Sequence, residues 1–398
     1  MSDPARAAED AARASYGKLV ALLSVRSGDI AAAEDALAEA FVQALRTWPA
    51  NGIPDRPEAW LLTTARNRRI DAARRDRRVT FTDEVPDMHA PDTPEFPDDR
   101  LKLMFVCAHP AIDVGLRTPL ILQTVLGVEA SDIARVFNTP RAAMAQRLVR
   151  VKRKIRDTRI PFALPEQADL STRLEALLDA VYAAYAVDWQ DGPGDLSHEA
   201  HFLATTLANL MPDSAEAFGL AALITFIEAR RPASVQDGHY VPLPKQDTAL
   251  WNKDLIDRAA YFLTRASALG QIGRFQLEAA IQAVHAERHV TKVTNWRAIS
   301  QLYAGLMQIA PSLGAAVGRA MAVGQDAGPA EGLKLLDLID PAAAEAFQPY
   351  WATRAHLLAE ADPMEAARAY TRAIELSPSA AAAAWLTDRR ACLDPDPS

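Results

Sequence analysis

The chain has 398 residues, of which 49% are apolar, and its 43 Lys and Arg against 51 Asp and Glu leave a net charge of −8. That length and apolar share suit two or three globular domains and exclude a wholly disordered chain. The only cysteines, Cys107 and Cys392, can build neither a disulfide framework nor a four-thiolate zinc site, and no apolar run is long enough to span a bilayer, so a reducing cytoplasm and no membrane are expected. Met1 to Asp10 carry Asp3, Glu9 and Asp10 and no apolar stretch, which argues against a signal peptide.

The net charge conceals an asymmetry. Through Ile160 there are 25 basic and 22 acidic residues, a net of +3, which leaves 18 against 29, a net of −11, for the remainder. One half is suited to a polyanion and the other is not.

From Asp10 to about Arg78 the pattern is helical. Ile30, Leu37, Phe41, Ala44 and Trp48 fall on one helical face and are expected in the core. Asp35, Glu39, Val42 and Arg46 fall on the opposite face, which is either a solvated charged surface or a docking surface for a partner helix. The next helix ends in Arg66, Arg68, Arg69, Arg74, Arg75, Arg77 and Arg78, relieved only by Asp71 and Asp76. These arginines point all round the axis. Guanidinium forks match phosphate oxygens, so a nucleic-acid backbone is the natural partner, with a solvated arginine-rich helix as the plainer alternative.

Thr82 to Asp99 mixes Pro86, Pro91, Pro94 and Pro97 with seven acidic residues and reads as an extended acidic linker. Helical pattern resumes at Arg100. Ser131 to Phe137 is a short helix, Asn138 and Thr139 supply a turn and a cap, and Pro140 suits the first position of a second helix. Met144, Leu148, Val151 and Ile155 make that helix's buried stripe, and Ala142, Gln146, Val149 and Arg153 point away from it. In a helix-turn-helix, Arg141, Ala142, Ala145 and Gln146 are placed to read base edges. Arg150, Lys152, Arg153, Lys154 and Arg156 are placed to hold phosphates.

Leu164 to Ser398 is acidic, alanine-rich and helical. Ala366, Tyr370, Ala373 and Pro378 share their spacing with Ile299, Tyr303, Leu306 and Pro311, and Ala259, Leu263 and Ala266 repeat its first part. Such spacing is that of a tetratricopeptide (TPR)-like second helix, or of a generic amphipathic helix closed by proline. Arg354 stands where a small residue is usual in the first helix of the last repeat. Cys107 and His109 lie among apolar neighbours and read as a buried helix rather than a metal site, and His198 and His201 lack zinc-hydrolase spacing and read as solvated or capping.

Glu34-Asp35, then Trp60-Leu61 with Ala65-Arg66-Asn67 and Ile70-Asp71, then Gly127, Ile133-Ala134 and Gln146-Arg147-Leu148, resemble in that order the extracytoplasmic-function (ECF) sigma factors. Phe105 to Pro110, Met144 to Arg150 and Ala279 to Ala286 resemble the subgroup with a C-terminal TPR-like extension. Ala38 and Ala143 depart from the pattern, standing where relatives carry glutamine and threonine, and Pro57 stands where some carry an aromatic.

The resemblance implies an all-α protein: a sigma region 2 helical bundle over 10–80, the linker over 81–99, a sigma region 4 helix-turn-helix domain over 100–160 and a TPR-like solenoid over 165–398. It implies a polymerase-binding face of Asp35, Glu39, Val42 and Arg46. Promoter DNA would be met by Arg66, Asn67, Arg69, Arg74 and Arg75 in region 2, and by Arg141, Ala142, Ala145, Gln146, Arg150 and Arg153 in region 4. Core RNA polymerase and promoter DNA are the implied partners, and an intramolecular contact or a protein partner is expected at the C-terminal helices. No catalytic residue, cofactor or metal is implied. The alternative is a helix-turn-helix regulator with a TPR-like sensor domain that binds duplex DNA without polymerase.

Overall fold

The computed structural model describes residues 4–77, 99–137, 139–163, 165, 167–191, 195–236, 239–377 and 380–393. The linker expected over 81–99 lies outside them except for Asp99, as do Asn138 and Pro378. The chain is mostly helical, 78% helix and 1% strand, in keeping with the expected all-α class. It divides into two compact units, residues 1–184 and 185–398.

Unit 1 begins with three helices that pack on one another: α1 (Pro4–Ser27), α2 (Ile30–Asn51) and α3 (Pro57–Arg77). Asp29 caps α2, its carboxylate accepting from the Ala32 amide at 3.1 Å, and Gly52 ends that helix at a φ of 83° that favours glycine. Leu19, Val20 and Leu23 of α1, Ile30, Leu37, Ala44 and Trp48 of α2, and Leu61 and Ala65 of α3 form the core. The Trp48 and Trp60 rings meet edge to face at 5.5 Å. Phe41, expected in this core, is only half-buried, because Ala33, Ala36 and Ala40 complete the buried stripe on the other side of Leu37.

The second part of unit 1 holds α4 (Asp99–Cys107), α5 (Val114–Thr124), α6 (Ala130–Val136), α7 (Arg141–Asp157) and the start of α8 (Gln167–Asp191). Leu101 and Leu103 through Cys107 are all buried, since α4 packs on α5 and also on α1. Gly17 of α1 explains how close the two parts come: a Cβ there would overlap the Val125 carbonyl oxygen. The border between units falls inside α8. The early turns of α8 are tied to α4, where Arg173 Nη1 donates to the Phe105 carbonyl at 3.2 Å.

Unit 2 continues with α9 (Asp195–Leu210) and α10 (Ala215–Arg230), the latter buried along almost its whole length. A loop with a two-stranded hairpin, β1 (Val235–Gln236) and β2 (His239–Tyr240), leads to α11 (Lys253–Ala268) and α12 (Arg274–Ala286), both packed on α10. The short α13 (Arg288–Thr291) follows, then α14 (Trp296–Ile309), α15 (Leu313–Ala327), α16 (Pro329–Leu336), α17 (Pro341–Ala344), α18 (Gln348–Leu358), α19 (Pro363–Glu375) and α20 (Ala380–Ala391). Here consecutive helices pack in pairs, α14 with α15, α15 with α16, α18 with α19 and α19 with α20. At α15 and α16 the backbones nearly touch, and a Cβ at Gly332 would meet the Ala320 carbonyl oxygen at 2.6 Å.

The spaced residues fall where the pattern put them. Ala366, Tyr370 and Ala373 are buried in α19, Ile299 and Leu306 in α14, and Ala259 and Ala266 in α11, with Tyr303 and Leu263 half-buried. The small buried residue of α18 is Ala355, which leaves Arg354 free to pair with Asp337 at 2.7 Å.

Candidate nucleic-acid and polymerase interface

On α2 the buried stripe forces its opposite side outward. Asp35, Glu39, Val42 and Arg46 are all exposed, Val42 at 48%, and Leu45 beside them at 49%. Glu39 lies 3.9 Å from Arg68 of α3, and Arg68 Nη2 donates to Gln43 Oε1 at 2.8 Å, which fixes the edge of this face. An apolar patch between carboxylates and a guanidinium, on a rigid helix, is a surface that a partner helix can cover.

On α3, Asn67 and Arg68 are exposed and Arg66 is half-buried. The side chains of residues 69–77 lie outside the described residues, and with them those of Arg69, Arg74 and Arg75. Their backbone continues α3 as far as Arg77.

On α7, Met144, Leu148, Val151 and Ile155 are buried, as their spacing requires. Arg141, Ala142, Gln146, Arg150 and Arg153 are exposed and Ala145 is half-buried. The helix begins one residue later than expected, with Pro140 in the capping position and no side chain capping it. Thr139 instead donates to the Phe137 carbonyl at 3.0 Å.

Lys152 is the main correction on α7. Expected among the phosphate-holding cations, it is buried, and its ammonium donates to both Glu34 carboxylate oxygens at 2.7 and 2.6 Å. Burial pushes the Glu34 carboxyl above its ordinary range, against the lowering pull of Lys152. Burial, and after it the nearby Glu34, raises the Tyr16 hydroxyl as well. One α-helical turn beyond Lys152, Arg156 faces Asp29 at 3.9 Å. Sequence spacing places a lysine on a helix flank but does not say which other helix lies against it.

Cys107 is buried, 3.3 Å from the Thr124 hydroxyl, and burial pushes its thiol up to about 12. His109 accepts from the Ala111 amide at 3.1 Å. In unit 2, His198 is exposed, but His201, expected to be solvated or capping, lies 2.9 Å from the Thr225 hydroxyl, and burial lowers its basicity. Other polar contacts on and around α10 also escaped the sequence reading. Tyr185 donates to Glu228 at 2.7 Å, Arg231 pairs with the same carboxylate, and Arg230 donates to Gln282. Burial pushes Arg230 down to about 10 and, with Arg230 and Arg288 nearby, pushes His285 down to about 3.

Comparison with known proteins gives the class first: residues 12–79 match sigma-70 region 2, the domain of transcription-initiation factors that binds RNA polymerase. Residues 173–267 match a family of unknown function (DUF6596). An uncharacterized protein of Rhizobium meliloti (strain 1021) is 33% identical over 373 residues, covering 89% of this chain and 88% of the relative. The chain belongs to one family with that protein. No solved structure matches. Among the described residues, no helix is long and apolar enough to cross a membrane.

Proposed function

We propose that the protein is a sigma factor of the ECF type, in which α1–α3 dock on core RNA polymerase and open the downstream promoter element, and α6–α7 read the upstream one as a helix-turn-helix. Catalysis belongs to the polymerase, and the chain supplies recognition. The observation that carries this reading is the outward face of α2, where Asp35, Glu39, Val42 and Arg46 are exposed opposite a buried stripe, inside the segment that matches sigma-70 region 2. Arginines along α3 suit a phosphate backbone. Residues at the start of α7 suit base edges, and Arg150 and Arg153 suit phosphates.

Unit 2, with its paired helices, is assigned a TPR-like regulatory role. Stacked helix pairs offer an extended surface for a peptide, a protein or the chain's own basic modules. Co-purification of the full chain with core polymerase tests the central assignment. Stoichiometric recovery of core subunits is expected. A chain that binds duplex DNA yet leaves polymerase in the flow-through would be a helix-turn-helix regulator instead. The regulatory role is tested by run-off transcription with the full chain and with a chain ending at Ala184, and equal output from two folded proteins would remove it.

A further inference from the structure

We propose that Glu34 of α2, with Asp29 at that helix's cap beside it, stands in for DNA phosphates on the flank of α7, so that the free chain keeps part of its own phosphate-gripping surface covered. Lys152 and Arg156 are four residues apart, on one side of α7, next to the outward row of Ala142, Gln146, Val149 and Arg153. A duplex lying along that row brings its phosphates to the same flank. There the structure holds two carboxylates. Glu34 takes the Lys152 ammonium on both oxygens, while Asp29 lies 3.9 Å from the half-exposed Arg156 guanidinium, which pairs more closely with Asp157 at 3.0 Å. The Lys152 side chain is 8% exposed and that of Glu34 17%, so the first contact excludes most water. An ammonium so held cannot also hold a phosphate.

The rest of the contact is built to the same closeness. Gly17 lies against the Val125 carbonyl, and the Tyr16 ring lies against Gly127. The stretch from Arg77 to Asp99 could extend to about 70 Å, so α2 and α7 are able to part without strain on the chain. While α2 stays in place, a duplex on the outward row of α7 meets a flank whose lysine is already neutralised, and only the fraction of molecules in which α2 has parted offers that cation to phosphate.

This inference rests on the reading of α7 as a DNA-binding helix and not on polymerase docking. The test is fluorescence anisotropy of a mixed-sequence labelled duplex with the full chain, over a series of potassium chloride concentrations. Asp29→Asn with Glu34→Gln removes both charges while keeping shape and the α2 cap. That double variant is expected to bind on the order of tenfold more tightly at low salt, with a salt slope steeper by about one unit, that of the freed Lys152. Adding Lys152→Met to it takes back about one unit of slope, whereas Lys152→Met in the otherwise unaltered chain takes back none. An equal loss of slope in both backgrounds, or in neither, would overturn the proposal. Circular dichroism checks folding, and if the double variant fails to fold, Glu34→Gln alone carries the same comparison. Polymerase is absent from the assay, so failure here and failure of the polymerase reading are separate results.

Discussion

Helices α2 and α7 of unit 1 and the end of α10 in unit 2 treat charge in opposite ways. In unit 1 the ionisable side chains of α2 and α7 point outward, apart from the Glu34–Lys152 pair, and the stripes beneath them are aliphatic and aromatic. In unit 2, Tyr185, Glu228 and Arg230 lie deep in the core beside α10. Exposed charges are available to partners and contribute little to stability. Buried ones must satisfy one another, and removing a single member leaves the rest in a poor solvent. The same residue types thus stay open to solvent on α2 and α7 and serve internal order at the end of α10.

The largest expected effect breaks that comparison if it is absent. Glu228→Ala withdraws the carboxylate that receives Tyr185 and pairs with Arg231, and is expected to destabilise unit 2 by about 3–5 kcal/mol, read from urea denaturation. A cost as small as that of a surface substitution would mean that the network is not structural.

Acid gives the next effect. His285 titrates near 3 in the folded chain because it is buried close to Arg230 and Arg288, and near 6.5 when unfolded. Below about 6.5 the unfolded chain takes up a proton that the folded one refuses. Stability is therefore complete above that pH and falls as pH drops towards 3, by about 2 kcal/mol at pH 5 for this group alone. His285→Gln should flatten that slope in a series of denaturation curves.

Exposed positions sharpen the contrast. Asp35→Arg with Glu39→Arg is expected to weaken binding to core polymerase by about tenfold or more, while stability changes by no more than about 0.5 kcal/mol. Affinity measured by interferometry, beside a thermal melt, separates the two. Arg153→Ala gives the smallest effect. It should weaken all duplexes alike and reduce the salt slope by about one unit, whereas Gln146→Ala should change base preference. The reverse pattern would mean that α7 lies in the groove in another orientation.

Periodicity made much of this legible from sequence. The stripes of α2 and α7 followed from apolar spacing, because a helix of period 3.6 can bury only one side in a bundle. The buried residues of α11, α14 and α19 followed in the same way. What escaped were relations between distant segments. Nothing local to Lys152 distinguishes it from Lys154, yet the first is buried on Glu34 and the second is exposed, donating to the Ala111 carbonyl. His201 was misread for the same reason, since Thr225 and Glu228 reach it from another helix.

The tether between Arg77 and Asp99 has a consequence for dose. If α3 and α7 both touch DNA as proposed, joining them on one chain turns the second contact into an intramolecular event, at an effective concentration set by the length of chain between them. Each module can then bind feebly alone and still hold firmly when both sites lie within reach on one duplex. The same tether favours α2 as the occupant of the α7 flank whenever such a duplex is missing. Inserting or deleting residues in this stretch would shift both encounters together, so its length sets how sharply the protein distinguishes a paired site from an isolated one.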